Sequence, residues 1–122
     1  MYGEGTDLTY PAAGDLSSYQ FRIVAFNGDG RVTFCGTVGG TTVGVLQNKP
    51  SAADVPARVR IAGETRIQVN AAVGAGVLLT SNVQGFGVAN GTAGHFCTVR
   101  MSRAVGGSGD IATGVIVLAN SV

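Results

Sequence analysis

Residues 56–69 read Pro-Ala-Arg-Val-Arg-Ile-Ala-Gly-Glu-Thr-Arg-Ile-Gln-Val, and this stretch decides the fold. From position 58 the even residues are Arg58, Arg60, Ala62, Glu64, Arg66 and Gln68, while the odd ones are Val59, Ile61, Gly63, Thr65, Ile67 and Val69. A repeat of two puts successive side chains on opposite faces of a strand, so one face is apolar and the other carries the charges. The alternation keeps its phase through Gly63. A two-residue hairpin loop would reverse the parity, which leaves one long strand bent at Gly63 or a three-residue loop; Ala62-Gly63-Glu64 contains no Asn-Gly or Asp-Gly pair, and that favours the bend. In a small domain such a strand is expected to pass from one sheet to another at its kink.

The same period recurs along the chain. Residues 20–26 and 31–35 flank the turn signal Asn27-Gly28-Asp29-Gly30 and predict a hairpin. An even-length loop there places Phe21, Ile23 and Ala25 on one face with Val32 and Phe34, and turns Val24 and Phe26 outward, where a second sheet or a partner must cover them. A short apolar strand at 43–46 and a loop held by Lys49-Pro50 and Pro56 follow. Residues 77–80 and 86–89 predict a second hairpin. Cys97, Val99 and Met101 alternate with Thr98, Arg100 and Ser102 in a half-buried strand. After a turn at 106–110, residues 111–118 close the chain. Their run Val115-Ile116-Val117-Leu118 has no polar face, so this strand is expected to be central or capped.

No segment holds a 3.6-residue period through three turns, so the expected class is all-β: a small sandwich or barrel of short antiparallel strands with an extended N-terminal arm. Residues 15–122 are expected to form a single β-domain. In residues 1–14, Gly3, Gly5, Pro11 and Gly14 interrupt Tyr2, Leu8 and Tyr10 without either period, which predicts an arm whose apolar anchors can dock on a neighbouring surface.

Hydrophobic residues make up 45% of the 122 and charged residues 12%, with a mean hydropathy of +0.31. A chain so poor in charge has apolar surface to hide, and a partner or oligomer interface is the expected place. The formal net charge of +1 supplies no field for nucleic acid. Arg58, Arg60 and Arg66 form a stripe broken by Glu64 with no aromatic between them, which reads as a solvated or protein-binding face. Seven of the eight basic residues are Arg, whose planar fork suits interfaces. No apolar run approaches the ~20 residues that span a bilayer, and the N-terminus lacks the basic region and apolar core of a signal peptide. Synthesis in the cytoplasm and no membrane partner are expected.

Little here can do chemistry. The single histidine, His95, sits in a loop, and Asp7, Asp15, Asp29, Asp54 and Asp110 fall in the arm or in turns, where carboxylates accept backbone hydrogen bonds. Ser108 lies among glycines between strands rather than before a helix, unlike a nucleophile elbow. Cys35, Cys97 and His95 offer three metal ligands, but there is no Cys-x-x-Cys and no fourth candidate, so no metal and no cofactor are expected. Buried thiols are the expected state of both cysteines. These features argue against an enzyme.

Three segments carry a resemblance. Gly44-Val45-Leu46-Gln47-Asn48-Lys49-Pro50, then Ala57-Arg58-Val59-Arg60 with Gly63, then Ala75-Gly76 before an apolar strand, resemble the small capsid decoration (head cement) proteins of tailed bacteriophages. Asp15-Leu16-Ser17-Ser18-Tyr19 and Phe26-Asn27-Gly28-Asp29-Gly30-Arg31-Val32 look like the start of the same pattern, so the likeness covers about residues 15–89 and extends to the last strands in type alone. It implies a structural virion protein, made in the host cytoplasm, that binds the major capsid protein on the outer surface of a phage head and stabilises contacts between capsid subunits. It also implies a homo-oligomer, with a trimer favoured and a dimer open. The residues expected at a capsid or subunit interface are Tyr2, Leu8, Tyr10, Val24, Phe26, Arg58, Arg60 and Arg66. The alternative is another virion β-module, such as a tail or head-fibre base, or a carbohydrate-binding domain. A glycan site usually presents Trp or Tyr platforms, and the chain has no Trp and only Tyr2, Tyr10 and Tyr19.

Overall fold

A computed structural model of the chain describes residues 5–90, 94–102 and 111–120; Tyr2 and the turn expected at 106–110 lie outside them. The described residues form nine strands, β1 (Gly5–Pro11), β2 (Ile23–Phe26), β3 (Val32–Phe34), β4 (Gly44–Leu46), β5 (Pro56–Gln68), β6 (Leu78–Ser81), β7 (Gly87–Ala89), β8 (Phe96–Met101) and β9 (Ile111–Asn120). They make one curled sheet in the order β3-β2-β4-β5-β9-β8-β6-β7, with β1 also paired to β5. All of these pairings are antiparallel.

The alternation in residues 56–69 does become one strand of 13 residues, β5. Gly63 has φ 89°, a left-handed conformation that side chains with a Cβ resist, and the bend sits there. Before it, β5 pairs with β1 and β4; after it, Glu64 to Gln68 pair with β9. The strand thus connects the two halves of the curled sheet, as its length predicts. The loop at 82–86 ties the far end back to β2: Ile23 N donates to Gly85 O at 2.7 Å, and Val69 and Gly87 form a parallel bridge.

Curling encloses one core between the halves, where Ile23 and Val45 meet Ile67, Leu79, Val99 and Met101. A second core lies on the opposite face of β2 and β4 and joins Val24, Val32, Leu46, Ala57 and Val59 with Ala12 and Leu16. Ile23 and Val24 of β2, and β4 throughout, are therefore buried on both faces of the sheet. Each fully buried Val, Leu or Ile contributes about 1.5–3 kcal/mol, and these two short strands supply four of them, Ile23, Val24, Val45 and Leu46.

Two sequence expectations are corrected here. The β2–β3 hairpin pairs Val24 with Phe34 and Phe26 with Val32, so Val24 and Phe26 share a face with Val32 and Phe34. The reason is loop parity. The connection is residues 27–31, an odd number, closed by Asn27 N donating to Arg31 O at 3.0 Å, with Gly28 and Gly30 at φ 101° and 86°. Val24 is accordingly fully buried, and its cover is neither a second sheet nor a partner but Ala12 and Leu16 of its own chain. Phe26 stays 51% exposed.

The expected arm of residues 1–14 is, over its described part, integral to the sheet. Gly5–Pro11 pair with β5 along their whole length, and Ala12 is fully buried. Five of the seven β1 residues are exposed, so this strand is held by main-chain bonds that leave no apolar period to read. Strand β9 is central between β5 and β8, as expected of its apolar run. Ile111 and Val115 are 46% and 43% exposed, while Ala112 and Ile116 pack inward.

Candidate functional site

The exposed groups that the fold gathers lie along β1 and the adjoining end of β2. Antiparallel pairing sets Asp7 opposite Arg60 and Thr9 opposite Arg58, so these four share one face. The Asp7 carboxylate accepts from Arg60 Nε through Oδ1 and from Arg60 Nη2 through Oδ2 at 3.3 Å; Arg58 Nε lies 3.3 Å from Oδ2. The two arginines differ in burial. The Arg60 side chain is 11% exposed and also donates Nη1 to the Glu64 carbonyl at 2.7 Å, whereas Arg58 is 56% exposed. Arg60 was expected on the wet face; β1 and its carboxylate cover it. A charge this dry is tolerated because every side of the guanidinium fork meets an acceptor.

The other face of β1 carries Leu8 and Tyr10. Tyr10 packs on the second core and meets Phe26 edge to face, with ring centroids 5.0 Å apart at 90°. Leu8 and Phe26 remain exposed beside it. At the same end, the turn at 27–31 and the turn before β5 are joined by ion pairs. Arg31 Nε donates to Asp54 Oδ1 at 2.7 Å and Arg31 Nη1 to Asp29 Oδ2 at 2.9 Å, and these bonds, that to Asp54 first, raise the Arg31 pKa. The result is an apolar patch of Leu8, Tyr10 and Phe26 flanked by ion-paired charge. Such a surface can bind a protein partner; it has no nucleophile, proton shuttle or convergent acid pair.

Of the eight residues expected at an interface, the structure brings together Leu8, Tyr10 and Phe26 on one patch and Arg58 and Arg60 on the reverse of the same strand pair. Val24 is in the core. Arg66 lies beyond the Gly63 bend, with its guanidinium 5.9 Å from the Phe21 ring, and belongs to neither group. Two features escaped the sequence reading. Asp7, the counter-ion of both arginines, carried no signal because β1 has no period of its own. Arg22 staples three segments: its guanidinium lies 3.9 Å from the Phe86 ring centroid and 4.8 Å from Tyr19, which stacks on Phe34 at 4.6 Å, and its Nε donates to Gln68 Oε1. Burial lowers its pKa.

Cys35 and Cys97 are free, buried thiols, and burial pushes the Cys97 pKa up. Among the described residues no group of three His, Cys, Asp or Glu side chains is placed to hold a metal ion.

No family model matches the chain, and no curated protein sequence does. Among solved structures the fold is similar to the crystal structure of the head fiber gp8.5 N base of bacteriophage phi29. The TM-score is 0.73 at 14% identity, over 98% of this chain and 99% of that one. At that identity the likeness is one of fold, and it spans both chains from end to end.

Proposed function

We propose that this protein is a structural component of a phage head, seated on the outer capsid surface through the patch of Leu8, Tyr10 and Phe26, where it binds the major capsid protein and reinforces contacts between capsid subunits. The observation that carries the reading is the end-to-end fold likeness to a head-fibre base. A charged fraction of only 12% and the exposed Phe26 and Leu8 support an adhesive rather than a catalytic role. Burying one aromatic and one aliphatic anchor on each of many lattice copies multiplies modest contacts into firm attachment.

The head-fibre likeness favours a second form of the same reading, in which the β-domain is the base of a fibre rather than a cement. Both forms share the capsid contact and differ in whether a further structure is carried outward.

The test is co-sedimentation of the purified protein with heads of the phage that encodes it. Saturable binding that Phe26→Asp weakens at least about tenfold is expected, while the variant stays folded with a stability lowered by about 1–2 kcal/mol through loss of the Tyr10 contact. Sedimentation of the protein no different from its behaviour without heads would remove the proposal. Cryo-electron microscopy of the decorated heads then separates cement from fibre base.

A further inference from the structure

The two end strands of the sheet have their outer sides engaged, and β1 does not. Ala12 and Ala13 meet Val32 of β3 through a parallel bridge and a hydrogen bond, and Val69 and Asn70 meet Gly87 of β7 in the same way. Strand β1 pairs with β5 on one side, and among the described residues no hydrogen bond outside that ladder engages its main chain. Which groups this leaves free follows from β5. The main chain of Arg58 turns toward β4: its carbonyl accepts from Gln47 N at 2.8 Å, and its N–H donates to Asn48 Oδ1 at 2.9 Å. Main-chain groups alternate sides along a strand, so Ala57 and Val59 turn toward β1, where they face Tyr10 and Leu8. The N–H and C=O groups of Asp7 and Thr9 therefore point away from β5.

Such an edge accepts an extended chain, and its own residues restrict which one. Pro11, which has no N–H, closes one end of the free stretch, and the register shift between Thr6 and Asp7 closes the other. Set antiparallel against a second copy, the possible registers are not equivalent. Asp7 on Asp7 brings two carboxylates directly opposite each other. Thr9 on Thr9 sets Asp7 against Pro11 and leaves the Asp7 carbonyl without a donor. Asp7 on Thr9 lets the two residues exchange both main-chain bonds, twice over by symmetry, and puts Leu8 against its own copy on the two-fold axis.

Charge agrees with that register. The exposed Arg58 stands in the row of Thr9 and the covered Arg60 in the row of Asp7, and both touch Asp7. Asp7 of the second copy would enter the Arg58 row on the far side of Thr9, so the row reads Arg58, Thr9, Asp7, Arg60 with no like charges adjacent. The two Asp7 carboxylates stand diagonally, about 7–8 Å apart, each already paired with the arginines of its own copy. Glu64 and Arg66 lie past the Gly63 bend, beyond the end of β1.

We infer that two copies of this chain pair edge to edge, β1 antiparallel to β1, about a two-fold axis through Leu8, with the main chain of Asp7 in each copy bonded to that of Thr9 in the other. This axis is perpendicular to the sheet and turns the same face outward in both copies, so two patches of Leu8, Tyr10 and Phe26 run together into one surface. The inference does not rest on the capsid reading, and its test uses isolated protein without heads.

Sedimentation equilibrium of the full chain should show a concentration-dependent dimer. Thr9→Pro deletes an outward N–H and spares the β5 ladder, so it is expected to weaken the dimer at least about tenfold while the monomer keeps its cooperative thermal transition. Leu8→Cys reports the register without depending on that variant. Opposed residues of a non-hydrogen-bonded pair have Cα atoms ~4.5 Å apart, within disulfide range. Mild oxidation should therefore cross-link Leu8→Cys into a covalent dimer and leave Thr9→Cys, which faces Asp7 of the other copy, uncross-linked; Cys35 and Cys97 are buried. A wild-type chain that is monomeric at all concentrations, a trimer, a dimer indifferent to Thr9→Pro, or equal cross-linking of the two cysteine variants would overturn the inference. So would a β1 edge that takes up an extended segment of another protein without self-association.

Discussion

Asp7 decides whether β1 belongs to the domain. Its carboxylate faces a nearly dry Arg60 and a wet Arg58, and the two pairings differ in weight. Removing the partner of a buried charge leaves that charge uncompensated, whereas an exposed pair is screened by water. Asp7→Asn is therefore expected to cost about 2–3 kcal/mol in urea unfolding, and Arg58→Ala below about 0.5 kcal/mol. Equal losses would show that Asp7 does not act through Arg60. Glycines offer a second contrast at this scale. Gly28 and Gly85 both have positive φ, but a Cβ at Gly28 meets open space while one at Gly85 would lie 2.7 Å from the Ile23 carbonyl oxygen. Gly28→Ala should lose roughly 1 kcal/mol from backbone strain alone, and Gly85→Ala more than about 2 kcal/mol because the loop that closes on β2 must shift. The thiols behave as buried groups should. With Cys97 almost fully covered and its pKa raised, a thiol reagent at pH 8 should label neither cysteine until the protein unfolds, and rapid labelling of native protein would contradict the packing.

Strands differed in how plainly the sequence announced them. β5 and β8 were legible because one face of each is buried and the other is not, and alternation records that contrast directly. β5 even declared its bend, since an unbroken phase through Gly63 excluded a two-residue turn. The β2–β3 register was illegible for a physical reason: its parity depends on whether the loop closes over four residues or five, and the Asn27-Gly28-Asp29-Gly30 signal is compatible with both. Val24 was consequently placed outside when it is core. β1 was invisible because main-chain bonding needs no particular side chains, so its part in the candidate surface came from structure while Leu8, Tyr10 and Phe26 came from sequence. This difference in what holds each strand has a dynamic consequence. Ile23 and Val24 of β2 and the whole of β4 are buried and should show the slowest amide exchange in the molecule, at or near the global unfolding free energy, whereas β1 should open first. Hydrogen exchange followed by mass spectrometry or NMR reads this order, and protection of β1 equal to that of β4 would make it part of the cooperative core.

At the scale of the whole molecule, the all-β class and the passage of one strand between two sheet halves could be foreseen from patterning, but the existence of two cores could not, because the covering segment with Ala12 and Leu16 is brought over β2 only by the fold. The path of the sheet makes unequal demands on its two ends. β9 is the one strand that joins β5 to β8, so a chain ending at Ser102 would split the sheet into β3-β2-β4-β5 and β8-β6-β7 and remove Ala112 and Ile116 from the first core. The halves would then be held by what remains of the first core and by bonds such as those of the 82–86 loop to β2, and the truncated chain should lose its cooperative thermal transition. β1 lies off that path. A chain lacking residues 1–11 keeps every other pairing and both cores except the Tyr10 ring, but leaves Arg60 without its carboxylate. It should fold with a melting temperature lowered by roughly 10 °C or more. Calorimetry and two-dimensional NMR of the two truncations distinguish these outcomes: a folded β9 deletion would mean that the β5–β9–β8 ladder is not what unites the halves, and an unfolded β1 deletion would move the N-terminal strand from the edge of the fold to its foundation.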